Sequence, residues 1–409
     1  MAFAAAVFLW LRCPVAAQIP GQTAPPTPAP PVGETPQPGQ IMQPVPVEMG
    51  DMTPLDQDRR PPSWDYSVGV SEAYESNPQG TPGGGASDTL TRVAGSVGRS
   101  WMLRRGSASF SGSASDVYYS SGNGPDSFNY GVGFGFGYML THRISWHAGE
   151  SLSSVMSLDS AVLAGSGLAS PNLQTRTNVL STGISYQASP KVQVDVSASE
   201  TSVGFPGGEL SNGSSLTLQS RVTRTIGRDQ LVGFSVGNTF STGQTGDIQG
   251  ILGLWQRTIG RWTLNASGGI RPYQLYGEPG TKFAPGGSFA VNKRLIRGQS
   301  FSGSYEYAVE QAFGFNRTHL ANRFNAGYGQ AVGRSVKLEA GLSYGINTYP
   351  QIPNYHLGGW TATLNGRYIV ARQLSIGVNY GFWNTFETGQ PQFNNYRAGI
   401  FVSYGGAFR

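Results

Sequence analysis

Phe128–Leu140 reads FNYGVGFGFGYML, and the alternation in this stretch decides the fold. Phe128, Tyr130, Val132, Phe134, Phe136, Tyr138 and Leu140 take the even positions, and Gly131, Gly133, Gly135 and Gly137 fill the odd positions between them. A repeat of two belongs to a β-strand, whose successive side chains leave opposite faces of the pleat. One face here is a wall of large apolar groups, and the other is almost bare backbone. A soluble strand buries such a wall in a core. A strand of an outer-membrane barrel turns the wall to lipid and the small face to a lumen.

Repetition separates the two readings. About eighteen alternating segments follow Trp64, beginning near Trp64, Thr89, Ser107, Phe128, Ile144, Asn178, Val192, Ser214, Leu231, Ile248, Trp262, Ser288, Gln299, His319, Val336, Gly358, Leu374 and Asn395. Most exceed the usual soluble strand of about 5–6 residues and reach the roughly 9–11 residues of a tilted membrane crossing. The fifteenth carries Val336, Leu338, Ala340, Leu342, Tyr344 and Ile346 on one face, and the seventeenth Leu374, Ile376, Val378, Tyr380 and Phe382. The opposite faces are Ser, Thr, Gly, Asn, Gln and scattered charge.

The connections alternate in length. Tight, often basic turns lie at Met102–Gly106, Thr141-His142-Arg143, Ser189-Pro190-Lys191, Gly227–Gln230, Gly260-Arg261, Arg297-Gly298, Gly333-Arg334 and Ala371–Gln373. Between them come longer loops, including Ser76–Asp88, Val155–Thr175, Gly204–Gly213, Pro272–Gly287, Tyr349–Leu357 and Glu387–Asn394. Short turns on one rim and long loops on the other are the pattern of an outer-membrane barrel. The expected fold is therefore all-β, a transmembrane antiparallel barrel of about eighteen strands with both ends on the short-turn, periplasmic side.

Side-chain placement agrees. Trp64, Trp101, Trp146 and Trp262 lie close to the short-turn ends, and Trp360 and Trp383 close to the other rim, where amphipathic rings meet the membrane interfaces. Lys or Arg on the lipid face at mid-membrane costs about 2–4 kcal/mol, falling towards zero at the interfaces. The mid-strand charges Glu306, Arg323, Glu339 and Arg397 share parity with the small polar face, and Arg224 and Lys293, on the apolar parity, sit near turns. Segments two, five and twelve obey the rule poorly, which predicts bulges or misplaced ends there.

Composition bounds the rest. Of 409 residues, 58 are glycine and 12% are charged, about twice and half the usual shares. The net charge of +5 is modest for this length and points to no nucleic-acid partner. Residues 1–17 carry an apolar stretch, AFAAAVFLWL, and a small-residue site at Val15-Ala16-Ala17, the features of a secretory signal. Residues 18–63 are Pro-rich with few large apolar groups and are expected to be a disordered periplasmic segment. The barrel takes 64–409. Cys13 is the only cysteine and falls in the signal, so no disulfide, thiol nucleophile, metal site or cofactor is expected in the mature chain.

Catalytic signatures are poor. Gly341-Leu342-Ser343-Tyr344-Gly345 matches the G-x-S-x-G elbow, but that motif needs a strand–turn–helix setting and this copy lies inside an alternating strand. His142, His147, His319 and His356 are scattered without metal-ligand spacing. The lumen face holds the candidate site: Arg221, Arg271, Glu306, Arg323, Glu339, Arg367 and Arg397 are expected to line a pore. Simple hairpin register sets Glu306 opposite Arg323 and Glu339 opposite Arg367, and Arg221, Arg271 and Arg397 add positive charge that mildly favours anions.

Residues 66–78, YSVGVSEAYESNP, with the Pro-rich leader before them and the long barrel after them, resemble the β-barrel porin proteins of Gram-negative outer membranes, some of which accompany exopolysaccharide-export loci. In that group the first strand runs into a Tyr-acidic-x-Asn stretch, and Tyr74-Glu75-Ser76-Asn77 stands in its place here. The resemblance implies outer-membrane residence and supplies no catalytic set. The expected function is passive passage of small polar solutes. The alternatives are export of a polysaccharide with an inner-membrane machine, or a plugged structural or enzymatic barrel. The expected partners are outer-membrane lipid, the solute or polysaccharide, and the barrel-assembly machinery.

Overall fold

The computed structural model describes residues 64–81, 83–156, 174–206, 212–242, 247–275, 278–294, 298–312, 317–333, 335–352, 354–389 and 391–408. The expected signal (1–17) and expected disordered leader (18–63), together with residues 157–173, lie outside the described residues.

The strands are β1 (Trp64–Glu75), β2 (Asp88–Leu103), β3 (Gly106–Tyr119), β4 (Ser127–Met139), β5 (Ile144–Met156), β6 (Gln174–Ser189), β7 (Val192–Gly204), β8 (Gly213–Ile226) and β9 (Gln230–Thr242). They continue with β10 (Ile248–Ile259), β11 (Trp262–Gln274), β12 (Thr281–Arg294), β13 (Gln299–Ala312), β14 (Arg317–Val332), β15 (Val336–Thr348), β16 (His356–Ile369), β17 (Leu374–Glu387) and β18 (Phe393–Phe408). Each pairs antiparallel with its sequence neighbours, and β1 also pairs with β18 from Trp64↔Phe408 to Glu75↔Arg397. The sheet of eighteen strands thus closes on itself, leaving no open edge strand. Gly227, Gly260 and Gly333 bend the chain at three short turns with φ of 71°, 60° and 65°, a left-handed backbone that costs glycine little.

The apolar parity faces out on every side. Ile251 is 59% exposed, Phe134 51% and Ile400 62%, whereas Ser67, Ser235 and Ser403 on the opposite parity are buried. This inverts a soluble protein and fits a solvent of acyl chains. Trp64, Trp101, Trp146, Trp262 and Trp360 share the outward parity, but Trp383 faces inward: it pairs in register with inward Thr361 and Asn395 and is 4% exposed. Its neighbour Gly381 explains the fit, because a Cβ there would stand 2.5 Å from the Trp383 ring.

The bulges expected in segments two, five and twelve are absent. Their ladders run without a register shift, and among the described residues the one irregularity falls at Gln187/Ser189 in β6. In β5 the polar outward residue is real: Glu150 is exposed and pairs with Phe134 and Leu180, and Glu200 pairs with Leu180 from the other side. In β2, outward Arg99 lies 5.1 Å from the Trp64 ring and 5.2 Å from Trp101, near the short-turn rim.

The β12 start was misplaced for a physical reason. Phe283-Ala284-Pro285-Gly286-Gly287 reads as loop, since proline cannot donate to a ladder and glycine weakens a strand. Yet β12 begins at Thr281 and pairs with β11 along its whole upper half, up to Gln274↔Thr281. Pairing with β13 runs only from Arg294↔Ser300 to Gly287↔Tyr307. The upper half of β12 is a local edge, and there Pro285 leaves no partner unsatisfied.

Above this break the β13–β14 hairpin tucks inside the wall. Val309 has the parity of outward Tyr305 and Tyr307, but it is fully buried against Ile248, Tyr273, Leu275 and Ala284, with Leu320 alongside. Ile248, Tyr273 and Ala284 lie on the inner face of β10–β12. The sheet therefore overlaps itself at the long-loop end, and the hairpin occupies lumen.

Candidate functional site: the inner wall and its charged throat

The inner wall has two characters. On β3 to β6 the inward rows across neighbouring strands are Ser109–Gly135–Gly149–Ser181, Ser111–Gly133–Ser151–Val179 and Ser113–Gly131–Ser153–Thr177. The glycines make room for the hydroxyls: a Cβ on Gly135 would sit 2.7 Å from Ser109 Oγ, and one on Gly133 2.8 Å from Ser111 Oγ. The same device recurs where Gly327 faces Ser302, Gly329 faces Ser300, and Gly341 faces Thr363. The product is a thin, hydroxyl-studded surface. Ser107, Ser109, Ser111, Ser113 and His147 are exposed on it.

The opposite wall gathers charge where the tucked hairpin narrows the lumen. Glu306 stands directly across from Arg323 in the β13–β14 ladder. The guanidinium nevertheless turns towards the diagonal carboxylate. Arg323 Nη1 donates to Glu310 Oε1 at 2.8 Å, Nη2 donates to Glu310 Oε2, and Glu306 Oε2 lies 4.0 Å away. A fork against a carboxylate is the stronger arrangement, and it also fixes geometry. His319 Nε2 is 3.6 Å from Glu310 Oε2, and its ring lies 5.6 Å from that of Tyr349. Arg271 reaches across from β11 and donates to the Val309 carbonyl at 3.5 Å, on the stretch of β13 that β12 has abandoned. Gly286 permits that reach, since a Cβ there would lie 2.6 Å from Arg271 Nε. Beside this throat the β15–β16 loop packs Tyr349 and Tyr355 ring to ring at 5.3 Å. Burial pushes both phenols above their ordinary range, and the hydrogen bond from Tyr355 to Glu387 at 2.7 Å adds to the effect there.

A second buried group sits where the barrel closes. Glu75, fully buried, accepts from Tyr119 Oη at 2.8 Å and from Arg397 Nη2 at 2.9 Å, and Asn395 Nδ2 donates to its other oxygen. Asn77 and Ser76 continue the clasp: Asn77 N donates to Asn395 Oδ1 at 3.1 Å, and Tyr396 N donates to Ser76 Oγ at 3.0 Å. Arg397 also lies 5.6 Å from the ring of Trp383. The Tyr74-Glu75-Ser76-Asn77 stretch is thus a fastening between the first strand and the last.

The other expected pore residues all fall on the inner parity. Arg221 pairs with Asp195. Glu339 pairs with Asn365, and Arg367 with Lys337, so the expected Glu339–Arg367 rung is displaced by two residues. Arg367 Nε donates instead to Ser375 Oγ at 2.9 Å. Acidic neighbours stand by Arg221, Arg323 and Arg397, which reduces the positive excess expected of the lumen. Glu310, His319 and Glu75 were not among the expected site residues. Glu310 had a legible signal, lying four positions from Glu306 on the same face. Ser343 sits within the continuous β15, paired with Asn325 and Thr361, so the G-x-S-x-G match has no elbow.

A closed ladder, an apolar exterior and a hydrophilic interior define the class of β-barrels that span membranes. No protein-family model matches the chain, and no curated protein matches it. Among solved structures it is similar to Acinetobacter baumannii OccAB4, at 10% identity and a TM-score of 0.46, over 86% of this chain and 99% of that one. It is also similar to a BenF-like porin from Pseudomonas fluorescens Pf-5, at 10% identity and a TM-score of 0.47, over 85% and 99%. A third is Pseudomonas aeruginosa OccK2 (OpdF), at 10% and 0.48, over 84% and 98%. Likeness at this level carries nothing about solute or partner.

Proposed function

We propose that this protein is a Gram-negative outer-membrane channel that passes small polar solutes by passive diffusion, without a chemical step. The observation that carries this reading is the hydroxyl and glycine wall of β3–β6, exposed inside a closed barrel of eighteen strands. Barrels of this strand number are wide enough to hold water once the interior is not filled by side chains. Arg271, Glu306, Glu310 and Arg323 form the narrow part of the route, with Arg221, Glu339, Arg367 and Arg397 along its wall. Charges of both signs there make the channel weakly selective, with a small preference for anions. The leader and signal fit export to the periplasm and insertion by the assembly machinery.

Single-channel recording in planar bilayers tests the reading. A steady ohmic conductance is expected, and a silent membrane containing folded barrel would refute it. Export of a polysaccharide is the second reading, favoured by the continuous hydroxyl track. It predicts current that appears only with an inner-membrane partner and is blocked by the polymer.

A further inference from the structure

The two rims differ in charge. Each of the eight short turns carries a cation, namely Arg104 and Arg105, Arg143, Lys191, Arg228, Arg261, Arg297, Arg334 and Arg372, and the single acid among them is Asp229. None of the nine long-loop segments between strands contains Lys or Arg, whereas Asp126, Asp159, Glu209, Asp247 and Glu278 fall within them. The lipid-facing wall leans the same way, with outward Arg99, Arg224, Arg257 and Lys293 at short-turn ends against outward Arg176 at the long-loop end of β6. Arg224, Arg257 and Lys293 project outward from the short-turn ends of β8, β10 and β12. Arg224 is set beside Val232, which pairs onward with outward Trp255, and Lys293 Nζ lies 4.1 Å from the ring of Trp262.

We propose that the short-turn edge of β8–β12 is a docking surface for anionic phospholipid headgroups. Arg224, Arg257 and Lys293 face away from the lumen, so the surrounding membrane is what they meet. Their level is the last turn of the apolar belt, which Trp262 and Trp255 mark as interface. Long cationic side chains at that depth extend to the headgroup layer, and Arg228 and Arg261 extend the patch into water directly below. Five cations stand there against Asp229 alone. Clustered Lys and Arg beside a membrane attract acidic lipid phosphates, and guanidinium groups bind them in a fork. The stacked Lys293 is already ordered by Trp262, which lowers the entropy lost on binding.

The inference rests on the membrane reading, but not on conduction. Purified barrel in neutral detergent is mixed with equal amounts of phosphatidylglycerol and phosphatidylcholine, and retained lipid is counted by native mass spectrometry. Several-fold enrichment of phosphatidylglycerol is expected, with the preference lost in the Arg224→Gln/Arg257→Gln/Lys293→Gln variant and kept in Arg99→Gln, which lies in another sector. Equal retention of both lipids by the native protein would overturn the proposal while leaving the membrane reading intact. Retention of neither lipid would likewise overturn the proposal alone, because detergent then covers the apolar belt. Displacement of phosphatidylglycerol by soluble polyphosphate at equal phosphate concentration would assign the rim to a soluble polyanion, and would also overturn it. The comparison of lipids on the native protein does not depend on the variant folding.

Discussion

Glu75 and Arg397 meet across the seam of the barrel, Arg397 Nη2 donating to Glu75 Oε2 at 2.9 Å and Nε to the same oxygen at 3.2 Å. They are the last register pair of β1 and β18, so the contact closes the ring near the long-loop rim. Both are buried, and Tyr119 and Asn395 complete the carboxylate's partners. Removing one member of such a pair strands a buried charge and costs about 3–5 kcal/mol. Glu75→Ala is expected to lower the temperature at which the folded band is lost in heat-modifiability gels. Glu75→Gln/Arg397→Gln should recover part of that loss, because no charge is left alone. Equal loss in the single and double variants would deny the coupling.

Arg323 neutralises Glu310 and stands near Glu306. Arg323→Gln leaves both carboxylates facing the route, and the reversal potential in a salt gradient should move towards cation preference. Glu339→Gln should move it the other way. If neither substitution changes ion preference, these side chains do not line the path.

The two faces of one hairpin predict opposite tolerance. Phe134→Lys places an ammonium on the lipid face near mid-height and should destabilise the barrel by about 2–4 kcal/mol, whereas Ser111→Lys, facing water, should cost far less. Urea or guanidinium unfolding in lipid vesicles measures both. Similar costs at the two positions would contradict the assignment of faces.

Gly286 bears on the tucked hairpin. A side chain there meets Arg271 at 2.6 Å and blocks its reach to the Val309 carbonyl. Gly286→Val should loosen the seat of β13–β14 and raise current noise in single-channel records while leaving the ladder count unchanged. A quiet channel in this variant would show that the hairpin does not depend on Arg271.

Much of this was legible because the strand repeat leaves a direct mark on sequence. The wall of Phe134 and its neighbours, the alternation of turn and loop length, and the parity of Glu306 and Arg323 all follow from one side chain in two facing lipid. What escaped depended on relations between distant segments. Pro285 and Gly286 look like loop because a local edge cannot be read from one strand. Trp383 is a different case: it carries the polar-face parity of β17, opposite Tyr380 and Phe382, so its inward course was legible in the alternation, and only its place near the rim made it read as an interface ring. The choice of Glu310 over Glu306 by Arg323 follows from the inward tilt of a hairpin, which no spacing records. Glu150 and Glu200 break the apolar pattern; Glu150 accepts from outward Asn178 Nδ2 at 3.5 Å, and nothing in the structure explains Glu200.

The central claim is that the apolar parity meets acyl chains while the small polar parity meets water. Single cysteines at Val132 and Ser111, each introduced in a Cys13→Ser background and reconstituted in vesicles, test it most directly with a charged, water-soluble thiol reagent. Labelling is expected at Ser111→Cys and not at Val132→Cys. Labelling at Val132→Cys, with Ser111→Cys protected, would contradict the account.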